Sequence, residues 1–79
     1  MTEWPHDAPR QRVLKALERL GLRVVRIGNH ISLEGCGTDG SRVTMTLPNH
    51  RRIKGSTLRT ACRLAGIERE SFIDSYRRR

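Results

Sequence analysis

The chain has 79 residues, a formal net charge of +8, 35% hydrophobic residues and 4% aromatic residues. A single domain of this size buries only about 60–65% of its unfolded surface, which argues against a deep cofactor pocket. The positive charge favours a polyanionic partner such as RNA, DNA or an acidic protein, although a basic surface that only maintains solubility is the alternative.

No run of 18 apolar residues occurs, which argues against a membrane-spanning helix. Residues 1–10 lack the basic segment and apolar stretch of a signal peptide, so a cytoplasmic location is expected. Cys36 and Cys62 are therefore expected to be free thiols. The cysteines and histidines do not have the close spacing of metal ligands, and neither a metal nor a cofactor is predicted.

The first elements are a tail and a helix. Residues 1–8 read as a flexible N-terminal tail, and Pro9 can open a helix because its missing N–H costs nothing there. Val13, Leu14, Leu17 and Leu20 recur at spacings of three and four, which predicts one apolar helical stripe. Gly21 is suited to end this helix.

Three strands are predicted next. Residues 22–27, "LRVVRI", are rich in β-branched residues, but their facing is ambiguous because apolar residues occupy both alternating sets. A turn at 28–29 leads into a second strand at 30–34, in which Ile31 and Leu33 take the inward positions. A glycine-rich loop at 35–41 precedes the third strand at 42–47, whose apolar residues also alternate.

A basic connector and two helices complete the chain. Leu58, Ala61, Cys62 and Ala65 have helical spacing, and Gly66 is placed as the C-terminal cap. A short helix over 68–76 and a basic tail at 77–79 follow, so the domain is expected to span 9–76. The fold class is α+β: a three-stranded antiparallel sheet with helices on one face, in the order α-β-β-β-α plus a C-terminal helix.

His30 is the candidate catalytic residue. Ile31 and Leu33 occupy the inward positions, so His30 is expected on the open sheet face, where an idle surface histidine is the alternative. In RNA cleavage the 2′-hydroxyl attacks the adjacent phosphate, and one histidine can move a proton without any metal. Cations must then stabilise the charge that develops on the phosphate.

The segment after the third strand offers candidate phosphate contacts. Helix N-termini bind phosphate through backbone N–H groups and the helix dipole. Ser56 or Thr57 acting only as a helix cap is the alternative, and the two roles are compatible. His50 could assist proton transfer or touch phosphate. The candidate RNA-binding residues are His50, Arg51, Arg52, Lys54, Ser56 and Thr57.

Two long segments carry a family resemblance. "VLKALERLGLRVVRIGNHISL" and "VTMTLPNHRRIKGSTLRTACRLAGIERESF" resemble the HicA toxin family, also called YcfA-like messenger-RNA interferases, over about residues 10–74. The resemblance implies a double-stranded-RNA-binding-domain-like fold, cleavage of messenger RNA and neutralisation by a HicB-type antitoxin. The catalytic histidine of the family falls on His30, with Asn29 in place of the usual serine. Glu68 stands where relatives often have a serine or threonine.

The first hypothesis is therefore a metal-independent endoribonuclease, the toxin of a bacterial toxin–antitoxin pair, with no cofactor. The partners expected are messenger RNA and a HicB-type antitoxin, without a membrane. The alternative is a non-catalytic double-stranded-RNA-binding module, which the same fold would support without the histidine. A basic scaffold or nucleic-acid chaperone is a third class.

Overall fold

The computed structural model describes residues 4–37 and 40–78; residues 1–3 of the predicted tail, 38–39 of the predicted loop and 79 lie outside them. Within the described residues the chain forms five strands and three helices. They are β1 (Asp7–Pro9), α1 (Arg10–Arg19), β2 (Arg23–Ile27), β3 (His30–Cys36), β4 (Arg42–Pro48), β5 (Arg52–Lys54), α2 (Gly55–Ala65) and α3 (Arg69–Arg77). None of the helices in this part of the chain has the length and apolarity needed to traverse a bilayer.

The main sheet is antiparallel, with the strand order β2–β3–β4. Ile31 lies opposite Leu47 and Leu33 lies opposite Met45, and all four side chains are buried. Residues between them, such as Ser32, are directed to the other face, because successive side chains of a strand alternate. The predicted alternation of the second and third strands is therefore confirmed.

α1 and α2 pack against the buried face of the sheet, α3 packs against α1, and each helix contributes one apolar stripe to the core. Full burial of a large aliphatic or aromatic side chain is worth about 1.5–3 kcal/mol, so these stripes are a main source of stability. The predicted α+β fold, with helices on one face and the double-stranded-RNA-binding-domain-like order, is confirmed. The buried helical residues of the core are Val13, Ala16, Leu17, Leu58, Ala61, Cys62, Phe72, Ile73 and Tyr76.

Glycines end the first two helices, as the sequence predicts. Gly21 and Gly66 have φ angles of 94° and 76°, in the left-handed region that side chains disfavour. After α2, the N–H of Ile67 donates to the carbonyl oxygen of Cys62 at 2.9 Å, and that of Gly66 donates to Arg63 at 3.1 Å. This is the bonding of a Schellman motif, which satisfies carbonyls at the helix end.

The segment before α1 forms a second, two-stranded sheet. β1 pairs antiparallel with β5, and Ala8 lies opposite Ile53 with both side chains fully buried. The prediction of a loose tail is therefore wrong for residues 7–8, and the basic connector contains a strand. Pro9 is the N-cap of α1 and not its first helical residue. Three-residue strands are too short to show a periodic pattern.

Trp4 also packs against the domain. Its ring stacks on Phe72 of α3 with centroids 5.6 Å apart, and Phe72 stacks on Tyr76 at 5.8 Å. The first described residues are thus attached to the last helix across the core. The domain limits of 9–76 stay a prediction, and Trp4 lies outside them.

Two arginines of α1 bind the end of α3. The Arg19 guanidinium donates to the carbonyl oxygens of Ser75 and Arg78 at 2.8 and 2.9 Å. Arg12 donates to the carbonyl oxygen of Tyr76 at 3.2 Å, and its guanidinium carbon lies 4.1 Å from the centre of that ring. These cations lie at the negative end of the helix dipole, so part of the net charge stabilises the fold itself.

A bulge in β2 settles the facing of its residues. Val24 lies opposite Leu33 and Arg26 lies opposite Ser32, which leaves Val25 without a partner. One extra residue reverses the alternation beyond it. Arg26 therefore shares a sheet face with Ser32, although a regular strand would have turned it to the other face.

Candidate functional site

His30 begins β3 on the open face of the sheet. Its side chain is exposed, and it lies opposite Pro48, the last residue of β4. Ile31, the next residue, is buried. The structure therefore places His30 where the alternation predicts it, accessible to a large ligand and outside the core.

The turn before His30 is held from outside the hairpin. Tight hairpin turns commonly rely on residues with positive φ. Neither Gly28 nor Asn29 has one. The Gly28 N–H donates to the carbonyl oxygen of His30 at 3.0 Å, and the other contacts of the turn come from Asn49, the residue after β4.

Asn49 binds the turn through both its backbone and its side chain. Its backbone N–H donates to the carbonyl oxygen of Asn29 at 3.2 Å, and Nδ2 donates to that of Gly28 at 2.8 Å. Oδ1 accepts a hydrogen bond from the Arg10 guanidinium at 2.6 Å. One asparagine thus connects the start of α1, the end of β4 and the turn that carries His30. We call these contacts the Asn49 clamp.

The candidates His50 and Arg51 follow the clamp directly. Both side chains are exposed. The carbonyl oxygen of Arg51 accepts the backbone N–H of Arg10 at 2.9 Å. Since Pro48 is the strand partner of His30, His50 lies at the same end of the sheet as His30.

Arg52 and Lys54 belong to the small sheet and not to the main one. Both are exposed on the outer side of β5, while Ile53 between them is buried. Arg52 donates to the carbonyl oxygen of Asp7 at 3.3 Å, a long bond that leaves most of its guanidinium donors available. These two cations therefore form a basic strip beside the N-terminus of α2.

The N-terminus of α2 is partly covered by the segment before β1. The Gly55 N–H donates to the carbonyl oxygen of His6 at 2.9 Å. A Cβ at Gly55 would lie 2.4 Å from the Pro5 carbonyl oxygen, so this position requires glycine. One N–H of the predicted phosphate site is therefore already used. The N-cap is Lys54, without a side-chain cap bond, so the alternative reading of Ser56 or Thr57 as the cap is wrong.

Ser56 and Thr57 lie beside the open sheet face. They line a shallow groove of about 390 Å³ together with Thr46 of β4. Thr46 lies opposite Ser32 and is thus a diagonal neighbour of His30, at about 7–8 Å between Cα atoms in a regular sheet. Thr46 therefore lies between the candidate histidine and the first turn of α2.

The open face has an excess of positive charge that the sequence did not reveal. Arg23 lies opposite Glu34, and the Glu34 carboxylate is bonded by Arg42. Arg26 is also on this face and is exposed. Sequence reasoning missed Arg26 because the facing of its strand was ambiguous, and it missed Asn49 although this residue stands in the second segment that carries the family resemblance.

The cysteines take no part in this surface. Burial raises the pKa of the Cys62 thiol to about 12, so it is protonated at neutral pH. Cys36 is exposed and free. Within residues 4–37 and 40–78, no three side chains of histidine, cysteine, aspartate or glutamate are grouped so that they could hold a metal ion.

Comparison with known proteins identifies the family. A model described as the HicA toxin of bacterial toxin–antitoxin systems matches residues 10–67, which include His30, the Asn49 clamp and all of the chain from α1 to α2. Neither the curated proteins nor the solved structures give a match. Since the matched region covers well over half of the 79 residues, the chain belongs to the HicA toxin family.

Proposed function

We propose that this HicA toxin is an endoribonuclease that cleaves messenger RNA in the cytoplasm. The observation that carries the proposal is the position of His30: an exposed imidazole on a basic sheet face, at a turn fixed by the Asn49 clamp. An idle surface histidine would not require the turn before it to be held by Asn49, whose side chain is in turn bonded by Arg10. Imidazole is the side chain that exchanges protons near neutral pH.

The proposed reaction needs two proton transfers and no net change in protons. The 2′-oxygen loses its proton and forms a bond to the adjacent phosphorus, while the bond from phosphorus to the 5′-oxygen breaks. The leaving 5′-oxygen takes up a proton, which gives a 2′,3′-cyclic phosphate and a 5′-hydroxyl end. His30 performs the transfer at one of these oxygens, and His50, at the same end of the sheet, is the candidate for the other. DNA lacks the 2′-hydroxyl and should resist this reaction.

The RNA backbone is proposed to bind along the edge next to His30. Arg51, Arg52 and Lys54 supply cations, and arginine in particular matches the geometry of phosphate. Ser56 and Thr57 add hydroxyls beside Thr46. The Gly55 N–H already donates to the carbonyl oxygen of His6 and is not available to a phosphate. The side chains therefore supply more of the proposed phosphate contact than they would at a helix whose first N–H groups are all free.

Histidine variants test the activity. In His30→Ala the exposed side chain is removed from outside the core, so stability should change by only about 0.5 kcal/mol. RNA affinity should persist, because arginine and lysine contacts supply most of it. Cleavage should fall by about 10²–10⁴-fold. His50→Ala, which removes the candidate for the second proton transfer, should cost less in rate than His30→Ala.

Cleavage of RNA by His30→Ala at the parental rate would contradict the catalytic assignment. A parental protein that binds RNA but never cuts it, with or without ribosomes, would favour the binding-module alternative instead. Both measurements require a folding control on the same preparation, such as a thermal unfolding curve.

The antitoxin is proposed to be a HicB-type protein that masks the open sheet face. An active ribonuclease is tolerated only while its site is blocked, and a partner that presents carboxylates would associate quickly with the basic surface. Hydrogen exchange of the complex should show protection of residues 28–34 and 50–57. Unchanged exchange in both segments would contradict direct masking.

A further inference from the structure

Arg26 is the cation that the sheet brings nearest to His30 on the open face. It lies opposite Ser32, and Ser32 is two residues beyond His30 on the same strand and the same face. Diagonal neighbours of this kind lie about 7–8 Å apart in a regular sheet, within reach of a long side chain. The unpaired Val25 produces this placement, because without the bulge Arg26 would turn towards the helices.

Arg26 differs from the other arginines of this face in its electrostatic surroundings. Arg42 is bonded to the carboxylate of Glu34, and Arg23 lies directly opposite the same residue. Among the described residues, Arg26 makes no ion pair and no side-chain hydrogen bond, and its side chain is exposed. Its charge is therefore available to an anion next to the imidazole.

We infer that Arg26 binds a non-bridging oxygen of the phosphate at which the RNA is cut. This assignment rests on the proposed ribonuclease activity and adds a residue that contacts the reacting group. When the 2′-oxygen attacks, negative charge accumulates on the non-bridging oxygens, and a guanidinium can donate two parallel hydrogen bonds to them. Arg26 transfers no proton and forms no covalent bond; it stabilises the charge that His30 chemistry creates.

The bulge of β2 thereby takes part in forming the site. Bulges re-aim side chains next to active sites. Here the bulge directs both Arg23 and Arg26 to the open face, but only Arg26 is diagonal to His30. The same strand therefore supplies a matched control, because the loss of either arginine changes the net charge equally.

Single-turnover cleavage of one RNA, measured at saturating protein, tests the inference. Arg26→Gln should lower the rate by about 10²–10³-fold, as the removal of one charge-stabilising donor does in other enzymes. Arg23→Gln should stay within about threefold of the parent, because Arg23 lies opposite Glu34, which is four residues, or about 13 Å, from His30 along β3. Arg26→Lys keeps the charge but not the paired donors, so its cleavage rate should lie between those of Arg26→Gln and Arg23→Gln. RNA affinity is measured in the His30→Ala background, where cleavage is slow enough to be negligible during the titration, and both glutamine variants should weaken it, because each removes one positive charge.

The outcomes separate this inference from the activity it rests on. If His30→Ala is inactive while Arg26→Gln cuts at the parental rate, Arg26 has no part in the reaction although the ribonuclease assignment stands. Equal losses in Arg23→Gln and Arg26→Gln would mean that only general charge matters, and would also overturn the inference. A parent that cannot cut RNA overturns both. If Arg26→Gln fails to fold by thermal unfolding, Arg26→Lys decides, and a parental rate there contradicts the role of paired donors.

Discussion

Removal of the Asn49 side chain should weaken the fold slightly and the cleavage strongly. Asn49→Ala loses the 2.6 Å bond from Arg10 and the 2.8 Å bond to the Gly28 carbonyl, but keeps the backbone bond to Asn29. A hydrogen bond to a charged group is worth about 1.5–3 kcal/mol and a neutral one about 0.5–1.5. The first bond is part-buried and the second is exposed, so we expect a total loss of about 1–2 kcal/mol, and a Tm lower by roughly 4–16 °C.

The effect on cleavage should be larger than the effect on stability. The clamp fixes the turn from which His30 projects, and a displacement of about 1 Å at a reacting group can cost about 10²-fold in rate. Asn49→Asp separates the two contacts, because its carboxylate still accepts from Arg10 but offers no donor to Gly28. We therefore expect near-parental stability and a cleavage defect close to that of Asn49→Ala.

A double-mutant cycle with Arg10→Met measures the clamp directly. Urea unfolding of the parent, both single variants and the double variant should give a coupling energy of about 0.5–1.5 kcal/mol between Arg10 and Asn49. The backbone amide resonances of residues 28–30 should shift in every variant that lacks the Asn49 amide. Additive stabilities and unshifted amides would refute the claim that Asn49 positions His30.

Three further changes test other parts of the structure. In Gly55→Ala the new Cβ would meet the Pro5 carbonyl oxygen at 2.4 Å, so we expect the free energy of unfolding to fall by about 1–3 kcal/mol. The fluorescence emission of Trp4, the only tryptophan, should shift to the red. A parental spectrum would show that the segment before β1 did not move. The pKa of Cys62 rises from 9.0 to about 12 on burial, so the folded state holds this proton more tightly, and the free energy of unfolding should fall as the pH rises from 9 to 12. A Cys62→Ala variant should show a shallower fall over that range, and equal slopes would contradict the assignment. Alanine at the three basic residues of 51–54 should flatten the salt dependence of RNA affinity, measured by titration at several salt concentrations, whereas an unchanged slope would locate the RNA-binding surface elsewhere.

The parts of the fold predicted from sequence are those with local patterns. Ile31 and Leu33 alternate with polar residues, and the helical stripes repeat every three to four positions. These periods identify the face that each strand or helix turns to the core. Gly66 ends α2 because a left-handed residue there closes the last turn. The exposed position of His30 followed from the alternation alone.

The contacts that support the site could not be predicted in the same way. The bond between Arg10 and Asn49 joins residues 39 apart, and no local pattern encodes it. The sheet face on which Arg26 lies depends on a single bulged residue, which reverses the alternation expected of a regular strand. The pairing of β1 with β5 involves strands too short for any period to be recognised.

The stack of Trp4 on Phe72 bears on how this toxin should be trimmed for expression. Both rings lie outside residues 10–67, the region by which the family is recognised, yet Phe72 is fully buried in the core. A fragment cut to the recognised region would lose α3 and expose the apolar surface of α1 and α2, with aggregation as the expected result. The segment that folds is therefore longer at both ends than the segment that identifies the family, and a boundary drawn from family comparison alone would remove part of the core.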